Sequence, residues 1–138
     1  MDNSESLSRR VRKFFGALDA LDADAVAAFF APAAVVRVAG AAPIAGRTAI
    51  RKALVEFMLE VEDLRHEPVQ VWTSGDLSVF EADMTLTLSG RTPLTFPITH
   101  IIRWAGGFIE HVRVSVYLES RLALAMSNFD RTRALVLD

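Results

Sequence analysis

Acidic and basic side chains recur inside the apolar second half of the chain, where they could transfer protons. Glu81 and Asp83 lie in one segment of alternating polar and apolar residues, His100 lies in the next segment, and Arg113 lies in the one after. A carboxylate among apolar neighbours has a raised proton affinity, and an imidazole titrates near about pH 6.5, so the two suit acid–base catalysis. We predict that Asp83 exchanges a proton, that His100 orients or relays it, and that Arg113 stabilises negative charge.

The predicted pairing of strands brings these side chains to one face. Side chains alternate along a strand, so Glu81 and Asp83 share a face of their segment. A turn at Gly90 and Arg91 joins this segment to the next, and the registers that we favour place Glu81 or Asp83 beside His100. Such a mixed face predicts a ligand pocket, because a plain core would be apolar and a solvated face would be more polar.

The last turn sets the position of the arginine. If 105–108 is a four-residue turn, Arg103 lies opposite Glu110, and His100 lies opposite Arg113. The opposite charges of Arg103 and Glu110 favour this register. A single β-bulge in any of these strands would move every later side chain to the other face.

The composition limits the chemistry that is available. The chain has 138 residues, of which 51% are apolar, a net charge of −2 and no cysteine. A chain of this size and apolar content is expected to fold as one domain, residues 1–138. The missing cysteines exclude disulfides, thiolate metal sites and a cysteine nucleophile, and the histidines and acids lack the close spacing of metal ligands. We expect no metal and no cofactor, and the slightly acidic charge argues against nucleic acid as a partner.

The sequence shows no sign of a membrane segment. The longest apolar stretch, 25–36, is interrupted by Pro32, whereas a helix that spans a bilayer needs roughly 20 apolar residues. The first six residues contain two acids and no base, and no apolar run follows them, which is unlike a secretory signal. We therefore expect a cytoplasmic protein that does not contact a membrane.

Hydrophobic periodicity predicts three helices before the main strands. Apolar residues at three- and four-residue steps indicate an amphipathic helix over 7–18. The same spacing predicts a short second helix, which Asp22 caps and Pro32 ends. It also predicts a third helix, which Thr48 caps. We place His66 at the end of the third helix, where a histidine suits the helix dipole.

From residue 68 onward the period changes to two, and short turns separate the segments, which predicts an antiparallel meander. Helices that precede a meander must cover one of its faces, so the fold class is α+β, with three N-terminal helices packed on a mainly antiparallel sheet. Residues 120–138 form a C-terminal extension, and helical spacing from Leu118 to Phe129 predicts a short terminal helix.

Three segments resemble the nuclear transport factor 2-like fold, in its SnoaL-like branch of polyketide cyclases. They are AVAAFFAPAAVVRV at 25–38, IAGRTAIRKAL at 44–54 and RWAGGFIEHVRVSVYLE at 103–119. With the intervening strands, the resemblance covers about residues 6 to 119. It implies a cone-like roll with a strongly curved sheet around an apolar pocket. Relatives include ketosteroid isomerases, polyketide cyclases, epoxide hydrolases, dehydratases and plain binding proteins.

The family's catalytic patterns match this sequence only in part. Ketosteroid isomerases carry an acidic base near the end of the first strand, but 36–39 contains no carboxylate. Limonene-type epoxide hydrolases use an Arg-x-Asp pair, and here Glu81 stands in the place of the arginine and Asp83 in that of the aspartate. Val114 or its neighbours replace their second aspartate. Polyketide cyclases use an acid in the sheet, a role that Asp83 could fill with His100 as its partner.

The sequence therefore predicts a hydrophobic pocket for a small polycyclic or terpenoid-like molecule, with cofactor-independent acid–base chemistry if the protein is an enzyme. The alternative is a non-catalytic binding or dimerisation module of the same fold. Asp83 and His100 are the predicted catalytic residues, and the predicted ligand-binding residues are Glu81, Arg113, Tyr117, Trp72 and Phe57. We also expect a homodimer that forms through the sheet, with the apolar residues of the opposite face, Phe80, Met84, Leu86, Val112, Val114 and Val116, as the simplest interface.

Overall fold

Three helices and two strands come first along the chain, and four long strands, β3 to β6, follow them. The computed structural model describes residues 3–116, with side chains from residue 7 onward. The predicted terminal helix, the extension 120–138 and Tyr117 lie outside the described residues. In chain order the elements are α1 Asn3–Asp19, α2 Ala23–Ala27, β1 Phe30–Val38, β2 Ile44–Ala45, α3 Arg47–Met58, β3 Val61–Ser74, β4 Leu77–Leu88, β5 Leu94–Ala105 and β6 Phe108–Val116.

The six strands form one sheet in the order β2-β1-β6-β5-β4-β3. The four long strands pair antiparallel with their neighbours in sequence, which confirms the predicted meander. β1 pairs parallel with β6 and antiparallel with β2. The fold is therefore α+β with a mostly antiparallel sheet, as predicted.

The boundaries of several elements differ from the prediction. Asp22 caps α2 as expected, since its side chain accepts a hydrogen bond from the backbone N–H of Ala25 at 3.0 Å. The helix ends well before Pro32, however, which lies inside β1. A proline is tolerated there because the register between β1 and β6 is interrupted between Phe30 and Val35, so no ladder hydrogen bond is required from it.

The third helix and the strand after it also begin earlier than predicted. The N-cap of α3 is Gly46, at φ 95°, and not Thr48. A positive φ of this kind is accessible to glycine because it has no Cβ. β3 begins at Val61, so the prediction that His66 ends the third helix is wrong, and His66 lies in a strand.

Among residues 3–116, helices cover the inner face of the sheet, and no element covers its outer face. α1 packs Val11, Phe14 and Phe15 against the inner face, where most of the buried residues of the chain lie. The predicted use of this apolar face for a second subunit is wrong, because the face is the core of the chain itself. Its buried residues include Phe80, Ala82, Met84, Phe96, Ile98, His100, Ile102, Trp104, Val112 and Val114.

The observed strand registers differ from the predicted ones. His100 pairs with Phe80, and Asp83 pairs with Pro97, because the connection 89–93 between β4 and β5 contains an odd number of residues. A register that is shifted by one residue exchanges the two faces. His100 therefore points to the inner face and Asp83 to the outer face, so the prediction that they share a face is wrong.

A β-bulge changes the pairing of β5 with β6. The turn closes as predicted at Ala105 and Phe108, but the register shifts after Trp104, which pairs with Ile109. Arg103 consequently pairs with His111, and the predicted pairing with Glu110 is wrong. By the same shift His100 lies opposite Val114, and Arg113 lies opposite Ile101. The bulge thus separates Arg113 from the face that holds His100.

Within residues 3–116, no helix combines the length and the apolar character that crossing a bilayer requires.

Candidate functional site

An aspartate from α1 and a histidine from β3 form a pair at the edge of the inner face. The Nδ1 atom of His66 lies 2.6 Å from Oδ1 of Asp19, and the backbone N–H of His66 donates to Oδ2 at 2.9 Å. A carboxylate can only accept, so Nδ1 carries the proton in this hydrogen bond. The neutral ring then has its lone pair on Nε2. The His66 side chain is only 3% exposed, so the carboxylate holds this imidazole in one tautomer and one orientation inside the protein.

A second histidine lies next to this pair. His100 is buried on β5, and its ring centroid is 5.8 Å from that of His66. Within the described residues, neither Nδ1 nor Nε2 of His100 has a hydrogen-bond partner. Buried polar atoms nearly always have one, because an unsatisfied group loses its hydrogen bonds to water. Within the part of the chain that the structure describes, the two nitrogens therefore retain unused hydrogen-bonding capacity.

Burial determines the charge of this second ring. Loss of solvation on burial and, to a lesser extent, positive charge on His66 together lower the pKa of His100 from 6.5 to about 3. His100 is therefore neutral at physiological pH and offers one N–H donor and one lone pair.

Aromatic rings surround the two histidines. Phe15 of α1 stacks on Phe80 of β4, with ring centroids 3.7 Å apart and an angle of 14° between the rings. The edge of one ring meets the face of the other between Phe15 and His100, whose centroids are 4.7 Å apart, and Phe15 lies 5.0 Å from His66. The polar atoms thus lie in an apolar environment, where hydrogen bonds and charges act more strongly than in water.

This arrangement can perform proton transfer. A carboxylate that orients a histidine leaves the far nitrogen of that ring as a base, as in the Asp–His part of hydrolytic triads. A neutral imidazole can donate a hydrogen bond to an oxygen that gains negative charge. His66, supported by Asp19, and the neutral His100 supply these two functions on one face of the sheet.

Most residues that the sequence singled out do not contribute to this group. His100 is part of it, whereas Asp83 and Arg113 are exposed on the outer face and Glu81 is half-buried there. All three lie on the face of the sheet opposite to His100, so they and the imidazole do not form one site. Of the predicted aromatic residues, Phe57 is 38% exposed at the end of α3 and Trp72 is 46% exposed on the outer face of β3.

Sequence reasoning missed Asp19 and misplaced His66. Asp19 follows Phe15 by four residues and Val11 by eight, so it continues the apolar stripe of α1. A carboxylate on an apolar stripe was the signal that could have identified it. His66 was hidden by its charged neighbours and by a β-bulge between Val61 and Asp63, which breaks the alternation of β3.

Within the described residues, no group of three or more histidine, aspartate or glutamate side chains is arranged to hold a metal ion.

Comparison with solved structures identifies the fold. The chain is similar to a protein with a ketosteroid isomerase-like fold from Catenulispora acidiphila in complex with trimethylamine, at 22% identity and a TM-score of 0.73, covering 86% of this chain and 91% of that one. It is also similar to an LEH-like epoxide hydrolase from M. tuberculosis, at 19% identity and a TM-score of 0.77, covering 92% and 98%. These similarities show the nuclear transport factor 2-like, or ketosteroid isomerase-like, fold.

The family can be stated more narrowly. The model of the SnoaL-like domain matches residues 11–112, and the chain belongs to this family. A proposed polyketide cyclase from Sinorhizobium meliloti is 28% identical, with a TM-score of 0.63, and the match covers 76% of this chain and 92% of that one. No protein of curated function matches the chain significantly.

Proposed function

We propose that the protein binds a small, largely apolar carbonyl compound against the inner face of the sheet and catalyses proton transfer at the carbon next to the carbonyl group. The observation that carries this proposal is the buried His100, whose two ring nitrogens lack partners, next to a histidine that Asp19 holds in one tautomer. Cofactor-free proton transfer of this kind underlies isomerisations, aldol-type cyclisations and dehydrations. The SnoaL-like fold is consistent with it.

The proposed step begins with His66. Its Nε2 atom accepts a proton from the carbon next to the carbonyl, and the electron pair of the broken C–H bond forms a carbon–carbon double bond while the carbonyl oxygen becomes negative. Asp19 stabilises the resulting imidazolium through its hydrogen bond to Nδ1. Return of the proton, to the same carbon or to another position of the molecule, completes the reaction.

His100 stabilises the negative oxygen. Because its pKa is about 3, the ring stays neutral and donates a hydrogen bond without carrying a charge of its own. A fixed donor in apolar surroundings stabilises developing charge more strongly than water does, since no solvent must reorganise. His100 thus acts on the oxygen and His66 on the carbon.

The surroundings favour a flat or fused-ring substrate. The stacked Phe15 and Phe80 present aromatic surface beside the histidines. We propose that the sheet and helices curve around this surface to enclose an apolar pocket, as the cone-like roll of the family implies. Small polycyclic and terpenoid-like ketones fit this chemistry.

Carboxylate-driven epoxide opening is less well supported. The similar epoxide hydrolase shares the fold, but Glu81 and Asp83 lie on the outer face of this chain, away from His100. Within the described inner face, Asp19 is the carboxylate next to the histidines, and it is already hydrogen-bonded to His66.

The direct test is exchange of deuterium for hydrogen next to a carbonyl group. 1-Tetralone and a panel of fused-ring and terpenoid ketones are incubated in D2O with the protein, and NMR follows loss of the proton signal. We expect exchange by the wild type, a reduction of roughly 100-fold or more in Asp19→Asn and His66→Gln, and a comparable reduction in His100→Leu.

Matched controls separate this proposal from its alternatives. Asp63→Asn makes the same chemical change at an exposed carboxylate of β3 and is expected to exchange like the wild type. Ligands that stabilise the protein without any exchange would indicate a non-catalytic binding module. Full activity of Asp19→Asn together with loss of activity in Asp83→Asn would refute the proposed site in favour of the one predicted from sequence.

A further inference from the structure

The ring of Phe15 contacts three other rings on the inner face of the sheet. It stacks on Phe80, with centroids 3.7 Å apart. His66 lies 5.0 Å from Phe15 and 6.1 Å from Phe80, and the centroid of the His100 ring lies 4.7 Å and 6.2 Å from the same two centroids. These distances form nearly right-angled triangles, so both imidazoles lie at about 90° to the stacking direction. Phe80 therefore covers a face of the Phe15 ring, and the two histidines lie at its edge.

The two imidazoles turn their faces towards this edge. The planes of the His66 and His100 rings make angles of 55° and 72° with the plane of Phe15. Rings tilted in this way, with centroids 5.0 and 4.7 Å apart, meet edge to face. The two imidazole centroids are 5.8 Å from each other, which fits contact with neighbouring C–H groups of one phenyl ring. Phe15 thus fixes the tilt of both imidazoles.

This contact distinguishes neutral imidazoles from charged ones. The edge of an aromatic ring carries partial positive charge, and its face carries partial negative charge. The C–H edge of Phe15 therefore attracts the face of a neutral imidazole and repels the same ring once it is charged. Phe15 is 4% exposed and the His66 side chain is 3% exposed, so water screens this interaction little.

Several groups act on the charge of the two rings. Asp19, which is hydrogen-bonded to Nδ1 of His66, favours the charged form of that ring. Burial opposes charge on His100, and charge on one imidazole opposes charge on the other. The strand neighbours of His100 on the inner face are Phe80 of β4 and Val114 of β6, which carry no charge. The edge contact therefore acts with burial and against the carboxylate.

We propose that Phe15 is a positioning residue for the proposed proton transfer, and that the edge of its ring holds His66 and His100 in their uncharged forms. This inference rests on the proposed function, because it concerns the same two histidines. A charged His66 has no lone pair on Nε2 with which to accept a proton, and the role of His100 requires a neutral donor. Phe15 thereby extends the activity of the site to lower pH.

Fluorination tests this role, because it reverses the charge of the ring edge and keeps the ring. 3,4,5-Trifluorophenylalanine is introduced at position 15 by codon suppression. The matched control carries it at position 14, since Phe14 is the adjacent buried ring of α1 and packs on Phe29 and Phe30. NMR then follows proton uptake by the imidazoles in the absence of any ketone. We expect the histidine pair to take up its first proton about 0.5–1 pH unit higher than in the wild type when position 15 is fluorinated, and at the wild-type pH when position 14 is.

The pH dependence of activity supplies a second readout. The same three proteins are compared in deuterium exchange of ketones, and we expect the acid limb of the pH–rate profile to move upward with fluorination at position 15 by the same amount as the titration. The profile of the position 14 control should match that of the wild type. A complete lack of exchange in all three proteins would refute the proposed function, whereas the titration would still decide the role of Phe15.

Two leucine variants keep the test decisive if a fluorinated protein does not fold. Phe15→Leu and Phe14→Leu each remove a buried ring of α1, but only Phe15→Leu removes the edge that meets the histidines. We expect Phe15→Leu to raise the pH of the first proton uptake and Phe14→Leu to leave it unchanged. An unmoved titration in the variants at position 15, a shift to lower pH, or an equal shift in the variants at both positions would each overturn the proposal.

Discussion

Replacing His100 by leucine should make the protein more stable while it removes the function. The two ring nitrogens of His100 are buried without partners among the described residues, and each unsatisfied polar group costs about 1–3 kcal/mol. Leucine has a similar volume and no polar atom. The substitution removes the edge-to-face contact between His100 and Phe15, which contributes about 1 kcal/mol.

The balance predicts a gain of about 1–5 kcal/mol in the free energy of unfolding at pH 7.5. For a chain of this length, each kcal/mol raises the melting temperature by roughly 3 °C, so the smallest expected increase is about 3 °C. The assay is urea unfolding followed by circular dichroism, with thermal unfolding in parallel. The matched control is His111→Leu, at a half-buried position of the outer face, for which we expect no comparable gain.

A lower pH should enlarge the difference in the free energy of unfolding between His100→Leu and the wild type. The pKa of His100 falls from 6.5 in the unfolded chain to about 3 in the folded one, so below pH 6.5 the unfolded state binds a proton that the native state excludes. The wild type therefore loses stability as the pH falls from 6.5 towards 3, with a contribution approaching about 1.4 kcal/mol per pH unit. His100→Leu lacks this contribution. A variant that is less stable than the wild type at pH 7.5, or a difference that does not grow towards pH 5, would refute the reasoning.

Three further substitutions test the packing that supports the site. Ser78→Ala should destabilise the protein by about 1–3 kcal/mol in urea unfolding. The buried Nε1–H of Trp104 donates to Ser78 Oγ at 3.0 Å and would lose its partner. Adding Trp104→Phe removes this donor, so the double variant should recover part of the loss. Arg10→Met should lower the free energy of unfolding by about 1–2 kcal/mol in the same assay. The guanidinium lies 5.3 Å from the Trp104 ring centroid and donates a hydrogen bond to the backbone oxygen of Gly107. An unchanged urea midpoint would show that these contacts do not stabilise the fold. Asp22→Ala should cost about 1 kcal/mol through loss of the α2 cap, and Asp22→Asn should restore most of it.

Much of the fold could be predicted because its signals are local. The apolar stripe of α1, the period of two along the long strands and the short turns between them each depend on nearby residues, and they were sufficient for an α+β fold with an antiparallel meander. The Asp22 cap was predicted for the same reason. The parallel pairing of β1 with β6 depends on contacts between distant parts of the chain, and the periodicity contained no sign of it.

The site could not be predicted, because it depends on strand register. His100 was correctly recognised as a candidate, but an odd-numbered connection after β4 and a bulge at the start of β6 exchange the faces on which Asp83 and Arg113 lie. Each of these two features moves side chains to the other face of the sheet, although polar and apolar residues still alternate along the sequence. The carboxylate next to the histidines is Asp19, which comes from a helix far away in sequence.

The ionisation and ligand response of the imidazole nitrogens test the central claim most directly. His66, His100 and His111 are the three histidines of the chain, and long-range proton–nitrogen NMR spectra distinguish the charged ring from each neutral tautomer. We predict that His100 remains neutral down to about pH 4, that neutral His66 carries its proton on Nδ1, and that a ketone such as 1-tetralone shifts the signals of His66 and His100 but not those of His111. Titration of His100 near pH 6.5, or a ketone response confined to His111, would contradict the account.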